Sequence, residues 1–220
     1  MILGIDTSLG TAVAVVEDDG LVRSEASSES PLGHAEVIGT LIRTALTDAA
    51  LGAVGQTSAP SPVELTHVAA GMGPGPFTGL RIGIAAARAF ALGRGIPVVP
   101  VVSHDAIALG HLLLDADAPR FAVVTDARRR EFAYSVYEGV DDDGLPIRVV
   151  EPALVARDGI DAVLADVGAR RHEATVVSAA MVGLVAARSL AAGRAGATSE
   201  PLYLRAPDVT PPAARKRVGT

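Results

Sequence analysis

The chain carries the stretch Gly71-Met72-Gly73-Pro74-Gly75-Pro76-Phe77-Thr78-Gly79-Leu80-Arg81-Ile82-Gly83. This stretch follows a short apolar segment, Val68–Ala70, and its last six residues begin a long, almost uncharged segment, Thr78–Arg94. Proline restricts the backbone and glycine permits angles that other residues avoid, so the alternation predicts a shaped, stiff loop. The loop leads into a helix N-terminus, where free N–H groups attract anions. The stretch matches neither the P-loop motif nor the G-x-G-x-x-G motif. The alternative to an anion-binding loop is a tight turn that packs under a helix and has only a structural role.

Composition bounds the class of protein. The chain has 220 residues, of which 49% are hydrophobic and only 3% aromatic, so the core consists of Ala, Val, Leu and Ile. It has no cysteine, which excludes a disulfide framework and a thiolate zinc site. The net charge of −6 disfavours independent, tight nucleic-acid binding. The first residues resemble no signal peptide and no apolar run is long enough to span a membrane, so we expect a cytoplasmic protein.

The first half of the chain predicts a strand-rich unit followed by helices. We expect strands over residues 2–5, 11–16 and 21–26, with a hairpin turn at Asp18-Asp19-Gly20. A helical period begins at His34 and continues through Val37, Ile38, Leu41, Ile42, Ala45 and Leu46. A polar loop, Gln56–Pro62, precedes the Val68–Ala70 strand, and Val98–Val102 forms a further strand after the second helix.

The second half repeats this order in pattern. Phe121–Asp126 is again an apolar strand that ends in Asp, followed by the strand-like Glu131–Tyr137, an acidic turn at Asp141–Gly144 and a return strand at Ile147–Val150. A helix, Ser103–Leu114, joins the halves. We expect a further helix over Ala180–Ala192, a terminal strand-like segment over Pro201–Arg205, and a disordered Pro-rich end. The repeat predicts a duplicated α/β architecture with a cleft between its halves.

Two acids occupy equivalent places in the halves. Asp6 and Asp126 end the first strand of each half, where carboxylates facing a cleft hold a metal-bound water beside a nucleotide phosphate. The alternative is that each side chain caps its own turn. The run Arg128-Arg129-Arg130-Glu131 after Asp126 either meets a phosphate or forms a solvated hairpin edge.

Other catalytic constellations are missing from the sequence. The five histidines form neither His-x-x-x-His nor His-Glu-x-x-His, and Ile38 stands one turn after His34, where a second metal ligand would be. We therefore interpret His34 as a helix-start residue. The sequence also lacks the G-x-S-x-G elbow of serine hydrolases.

The helix after the Gly/Pro loop has unusually few polar residues. Its only charges between Leu80 and Leu92 are Arg81 and Arg88. Gly79, Gly83 and Ala87 recur every fourth residue and predict a smooth groove that lets another helix approach. Burial within the chain is one explanation; a partner subunit packed on this helix and on the His34–Leu46 helix is the one we favour.

Taken together, these motifs resemble the bacterial TsaB (YeaZ) family. The resemblance rests on Ile2–Ser8, His34-Ala35-Glu36, Gly73–Gly83, Asp126-Ala127-Arg128 with Glu131, and Tyr203-Leu204-Arg205, in order and spacing. It covers the chain to about Ala206. The sequence departs from the family pattern at Pro76 and Ala133.

The resemblance implies an α/β, duplicated actin-like (ASKHA, RNase H-like) fold of two halves. We expect residues 1–102, rejoined by about 195–206, to form the N-terminal subdomain and residues 103–194 the C-terminal one, with a disordered tail at 207–220. In function it implies a non-catalytic partner that supports TsaD in forming N6-threonylcarbamoyladenosine at position 37 of ANN-decoding tRNAs.

The family also predicts partners and cofactors. The chain would bind TsaD directly, meet TsaE in the assembly, contact tRNA through the complex and form a homodimer when alone, without binding a membrane. No metal and no intrinsic cofactor are expected, and ATP, ADP and Mg²⁺ would belong to partner subunits. The first two helices would form the partner interface, through His34, Val37, Ile38, Leu41, Gly79, Arg81, Gly83, Ala87 and Arg88.

Two other functions compete with this one. A stand-alone actin-like ATPase or kinase would use a nucleotide cleft that contains Asp6, Thr7, Gly73, Gly75 and Asp126. A metallopeptidase, which the older glycoprotease label suggests, is disfavoured because the zinc motif is missing.

Overall fold

A computed structural model describes residues 1–28, 33–52, 63–194 and 198–205. The expected polar loop Gln56–Pro62 and the tail 207–220 lie outside the described residues. Within them the elements are β1 (Ile2–Asp6), β2 (Thr11–Val16), β3 (Val22–Ser28), α1 (His34–Leu51), β4 (His67–Gly71), α2 (Phe77–Arg94), β5 (Val98–Val101), α3 (Ser103–Leu114), β6 (Phe121–Asp126), β7 (Glu131–Val140), β8 (Pro146–Ala156), α4 (Ile160–Asp166), β9 (Arg170–Glu173) and α5 (Ala179–Ala191).

The strands form two sheets that share a four-stranded topology, to which the first sheet adds β5. The first has the order β3-β2-β1-β4-β5 and the second β8-β7-β6-β9. In each, the first strand pairs antiparallel with the second and parallel with the fourth. The internal repeat predicted from the sequence is therefore confirmed, and it extends further than the pattern indicated, since α4 and β9 complete the second copy.

Side-chain alternation along the central strands separates the layers. In the first sheet, Leu3, Ile5 and Val13 face a core with α1 and α2, while the opposite face packs on α5 and α3. Gly4 is the point of closest approach, because a Cβ there would lie 2.2 Å from the Ala179 carbonyl oxygen. Helix α5 thus packs on the first sheet although it follows the second in the chain.

The second sheet joins the same central helical layer. Phe121, Val123 and Tyr137 share a core with α3 and α5, and the other face of the sheet is covered by α4. Apolar burial on this scale is the main favourable contribution to folding.

A buried histidine ties α3 to the second sheet. The Nδ1 atom of His104 lies 2.8 Å from Ser135 Oγ and its Nε2 lies 3.0 Å from Thr125 Oγ1. Burial, together with the nearby positive charge of Arg148, lowers the pKa of His104 to about 3, so the imidazole is neutral. Full hydrogen bonding is what allows this polar group to lie in the core.

Three local predictions need correction. Helix α1 continues to Leu51, beyond the periodic residues that end at Leu46. The segment α4–β9 was not predicted, because α4 has only seven residues and β9 is an edge strand of charged residues. Pro201–Arg205 is not a β-strand: Leu202 N–H donates to the Met72 carbonyl, but no ladder forms.

Candidate functional site

A cavity of about 730 Å³ opens between the two halves. Its walls are the starts of α1 and α2, the Gly/Pro loop (residues 71–76), the turn between β6 and β7 that we call the arginine turn (residues 127–130), and residues 202–205. A smaller cavity of about 280 Å³ adjoins it, beside the β1–β2 turn (residues 7–10) and residues 173–175. Clefts of this size hold small ligands in many proteins.

Asp6, the acid at the end of β1, does not reach the cavity. It is 2% exposed, and its Oδ1 accepts a hydrogen bond from the Ser8 N–H at 2.7 Å. Its Oδ2 accepts from the Ser103 hydroxyl at 2.5 Å and from the Ser8 hydroxyl at 3.2 Å. Burial raises the pKa of Asp6, partly offset by the hydrogen bonds from Ser103 and Ser8. Asp6 therefore caps its own turn and joins β1 to α3.

Thr7 is likewise held inside the protein. Its hydroxyl donates to the Gly79 carbonyl at 2.8 Å, and the side chain lies against α2. A Cβ at Gly83 would be 2.1 Å from Thr7 Oγ1, and one at Gly79 would be 2.6 Å from the Thr7 carbonyl oxygen. The small residues of α2 therefore accommodate the chain's own β1–β2 turn.

The Gly/Pro loop packs against the same turn. A Cβ at Gly75 would lie 2.9 Å from Ser8 Cα, and Gly73 has a φ of 93°, a conformation that favours glycine. The Gly73 N–H is bound by Ser103 Oγ at 3.1 Å. Of the five residues expected in a nucleotide cleft, Gly75 and Asp126 line the cavity, whereas Asp6, Thr7 and Gly73 are buried behind it.

Asp126, the second acid, lines the cavity, but its carboxylate is already hydrogen-bonded by neighbouring groups of the same chain. Its Oδ1 accepts from the Arg128 N–H at 2.8 Å and from Arg157 at 2.7 Å. Burial pushes the pKa of Asp126 upward, yet these donors and their charges bring it below its usual value. Asp126 is therefore ionised and caps its turn.

The arginine turn has an unusual backbone. Arg128, Arg129 and Arg130 have φ values of 61°, 51° and 62°, a left-handed conformation that costs a residue with a Cβ about 1 kcal/mol or more. Arg128 and Arg129 line the cavity. Strain of this kind is found at functional sites more often than elsewhere.

Residues 198–205, the C-terminal segment, connect both halves across the cavity. Tyr203 packs its ring on Phe77, with centroids 4.6 Å apart, and its hydroxyl accepts from Arg81 Nε at 3.0 Å. Arg88 donates to the Ser199 carbonyl, and Arg205 forms an ion pair with Glu131 of β7. The segment is therefore a wall of the cavity, which the sequence did not indicate beyond the Tyr203-Leu204-Arg205 motif.

The expected partner interface divides into buried and accessible residues. His34, Ile38, Gly79, Gly83 and Ala87 are buried within this chain, so the proposed small-residue groove is filled by the β1–β2 turn and is not open to a partner. Val37 and Leu41 are half-buried, and Arg81 and Arg88 are exposed beside the C-terminal segment.

The outer face of α2 also carries exposed apolar residues, beside Arg81 and Arg88. Ala85, Ala89 and Leu92 follow one another at helical spacing and are exposed, Leu92 to 84%. We call these three residues the α2 stripe. Sequence reasoning assigned the partner contact to the glycine-lined face as well as to Arg81 and Arg88, because spacing alone does not show which face meets the sheet.

The sequence predicted the position of His34 at the start of a helix but not its contacts. It begins α1, as expected, and is 8% exposed. Its Nδ1 lies 2.8 Å from Thr11 Oγ1 of β2, and its ring borders both cavities. In the described part of the chain, no group of three or more His, Asp or Glu side chains is arranged to hold a metal ion. None of the described helices is long and apolar enough to cross a bilayer.

Comparison with known proteins agrees with this architecture. A sequence profile described as "TsaD: tRNA N6-adenosine threonylcarbamoyltransferase" matches residues 23–157. An uncharacterized protein of Mycobacterium tuberculosis is 39% identical over 96% of this chain and 94% of its own length. The tRNA threonylcarbamoyladenosine biosynthesis protein TsaB of Escherichia coli is 31% identical over 66% of this chain and 57% of its own length.

Solved structures give the fold. YeaZ from Pseudomonas aeruginosa superimposes with a TM-score of 0.70, at 23% identity, over 92% of this chain and 99% of its own. The two repeated halves, with helices between their sheets, are thus an actin-like (ASKHA) fold. The chain belongs to the TsaD-type tRNA N6-adenosine threonylcarbamoyltransferase family, within its TsaB (YeaZ) group.

Proposed function

We propose that this chain is the non-catalytic partner subunit that binds and supports TsaD in forming N6-threonylcarbamoyladenosine at position 37 of ANN-decoding tRNAs. Family membership supports a place in this pathway. The observation that carries the non-catalytic role is the state of Asp6. Its carboxylate oxygens are bound by Ser8 and Ser103 and buried behind the cavity.

This geometry argues against a stand-alone ATPase. A phosphotransferase of this architecture needs a carboxylate at the cleft to hold a metal-bound water and align the nucleophile. Asp6 could reach the cavity only if it lost the hydrogen bonds that fix its turn, and Asp126 is bound by Arg157 and by the Arg128 N–H. We accordingly place ATP, ADP and Mg²⁺ on the partner subunits.

The partner contact is proposed for the α2 stripe together with Val37 and Leu41 of α1, both of which are half-buried. An exposed apolar stripe loses unfavourable contact with water when a second subunit covers it. The same surface would pair with a second copy when TsaD is missing, and the two associations would compete by mass action. TsaE and tRNA would join through the complex, in the cytoplasm.

The interface is tested by charge insertion. Ala89→Arg places a long cation on the stripe, whereas Ala162→Arg places the same side chain on the exposed surface of α4. We expect the first variant to lose co-purification with TsaD of the same organism and the second to retain it. Equal TsaD binding by both variants would show that the interface lies elsewhere.

A further inference from the structure

The C-terminal segment is fixed to the first half of the molecule by several kinds of contact. The Leu202 N–H donates to the Met72 carbonyl oxygen at 2.8 Å, and the Leu202 side chain packs against the core that α2 shares with the first sheet. The Tyr203 ring packs on Phe77, and its hydroxyl accepts from Arg81 Nε at 3.0 Å. The guanidinium carbon of Arg81 also lies 5.6 Å from the centre of the Tyr203 ring. Backbone, apolar and cation–π contacts therefore hold the same few residues on α2 and the Gly/Pro loop.

An ion pair attaches the same segment to the second half. Arg205 pairs with Glu131, the first residue of β7, and the two side chains are 28% and 33% exposed. The backbone of Glu131 is itself fixed, because its N–H donates to the Arg128 carbonyl at 3.0 Å and its carbonyl accepts from the Ala127 N–H at 3.1 Å. A partly exposed ion pair contributes less than packed, hydrogen-bonded contacts, and it weakens as the salt concentration rises. The attachment to the second half is therefore the weaker of the two.

At the base of the cavity the two halves are joined through α3. The Ser103 hydroxyl donates to Asp6 of the first sheet, and His104 Nε2 lies 3.0 Å from Thr125 Oγ1 of the second sheet. All four of these side chains are buried. Two bodies that are joined at the base of a cavity and bridged across its opening are arranged to move by a hinge. The bridge then limits how far the cavity opens.

We propose that the C-terminal segment is a clasp that holds the two halves at their present separation and that opens at its Arg205 end. When the Arg205–Glu131 ion pair breaks, Leu202 and Tyr203 stay on the first half, the segment swings away with that half, and the cavity widens. The clasp is a conformational device of this chain alone. It goes beyond the proposed partner role and does not depend on it.

The test is the distance between two spin labels, one on each half of the isolated full chain. The chain has no cysteine, so Thr44→Cys on α1 and Ala165→Cys on α4 introduce the only two labelling sites, both exposed. We expect Arg205→Gln and Glu131→Gln each to increase the fraction of molecules at longer distances by about threefold to fivefold, which is the effect of losing one partly exposed ion pair. Exchanging the charges, with Arg205→Glu and Glu131→Arg in one chain, restores the parent distribution.

A matched control separates the clasp from a general loss of charge. Arg120→Gln breaks the ion pair of Arg120 with Glu138, which lies on β7 as Glu131 does but joins two parts of the second half, so it leaves the distances unchanged. Sodium chloride at about 1 M lengthens the distances in the parent chain and has little further effect on Arg205→Gln. Unchanged distances in both clasp variants, or an equal change in Arg120→Gln, would overturn the proposal.

Hydrogen exchange of the Leu202 amide tests which end opens. We expect this amide, which donates to Met72, to keep its protection in Arg205→Gln and to lose it in Tyr203→Ala, because only the second variant removes the attachment to α2. Equal loss of protection in both variants would show that the segment detaches as a whole and would contradict opening at Arg205. None of these readouts involves TsaD, so they fail or succeed separately from the partner role.

Discussion

The hydroxyl of Ser103 donates a 2.5 Å hydrogen bond to Oδ2 of Asp6, 97 residues earlier in the chain. This contact joins the end of the first strand to the first residue of α3. It also decides the function of the acid, because a carboxylate that fixes the junction of β1, the Gly/Pro loop and α3 is not available to a substrate in the cavity.

Asp6 and Asp126 therefore differ in their contribution to stability. We expect Asp6→Ala to destabilise the protein by about 2 to 4 kcal/mol, because it leaves buried donors of Ser8 and Ser103 unpaired. Asp126→Ala removes an exposed ion pair with Arg157 and the hydrogen bond from the Arg128 N–H, and we expect it to cost about 1 kcal/mol. Urea unfolding of both variants measures the difference. Equal losses would show that Asp6 does not have the structural role assigned here.

Gly83 tests whether the small residues of α2 face the chain's own turn. Gly83→Ala puts a methyl group 2.1 Å from Thr7 Oγ1, so the buried Thr7–Gly79 hydrogen bond must shift. We expect destabilisation of about 1 to 3 kcal/mol. Gly39→Ala in α1 is the control, since nothing lies within 4 Å of its added Cβ, and it stabilises by up to about 1 kcal/mol. A neutral Gly83→Ala would mean that this face is open.

The duplicated topology is the part of the fold that the sequence reveals best. Apolar strands that end in Asp and acidic hairpin turns recur in both halves. All five residues of β1 are buried, which the apolar character of Ile2–Ile5 predicts and that of Asp6 does not. Helix α4 and strand β9 escape notice because an edge strand composed of Arg170, Arg171, His172 and Glu173 has no hydrophobic pattern.

The site is harder to derive, for a physical reason. Motifs identify Asp6, His34 and the Gly/Pro loop, but their partners Ser103 and Thr11 come from distant parts of the chain. Helix α2 has glycines on one face and alanines on another, so its sequence allows either face to pack on the sheet. Only the packing of Thr7 on Gly83 shows that the glycine face is turned inward.

His104 makes the stability of the protein pH-dependent. Its pKa is about 3 in the folded state and about 6.5 when unfolded, so the unfolded chain binds the extra proton between these values. This contribution to stability is complete above about pH 6.5. It falls by about 1.4 kcal/mol per unit as the pH decreases toward 3.

The measurement for His104 is the free energy of unfolding between pH 4 and 7. It is made on the parent protein and on His104→Asn, which keeps hydrogen-bonding groups and removes the titration. We expect a shallower pH dependence in the variant. Parallel curves would mean that His104 is not the group that titrates.

The α2 stripe also predicts the behaviour of the isolated chain. Concentration-dependent sedimentation should show self-association, which Ala89→Arg abolishes and Ala162→Arg does not, because only the first inserts charge into the exposed apolar stripe. A strictly monomeric parent protein at all concentrations would argue against this surface.

The central claim is that the chain supports TsaD and performs no catalysis itself. The most direct test combines this chain with TsaD and TsaE of the same organism and measures threonylcarbamoyl transfer to tRNA, with ATP turnover of the isolated chain measured in parallel. The account predicts that transfer requires this chain and that the chain alone turns over no ATP. Mg²⁺-dependent turnover by the isolated chain that Asp6→Asn removes, or full transfer without the chain, would contradict it.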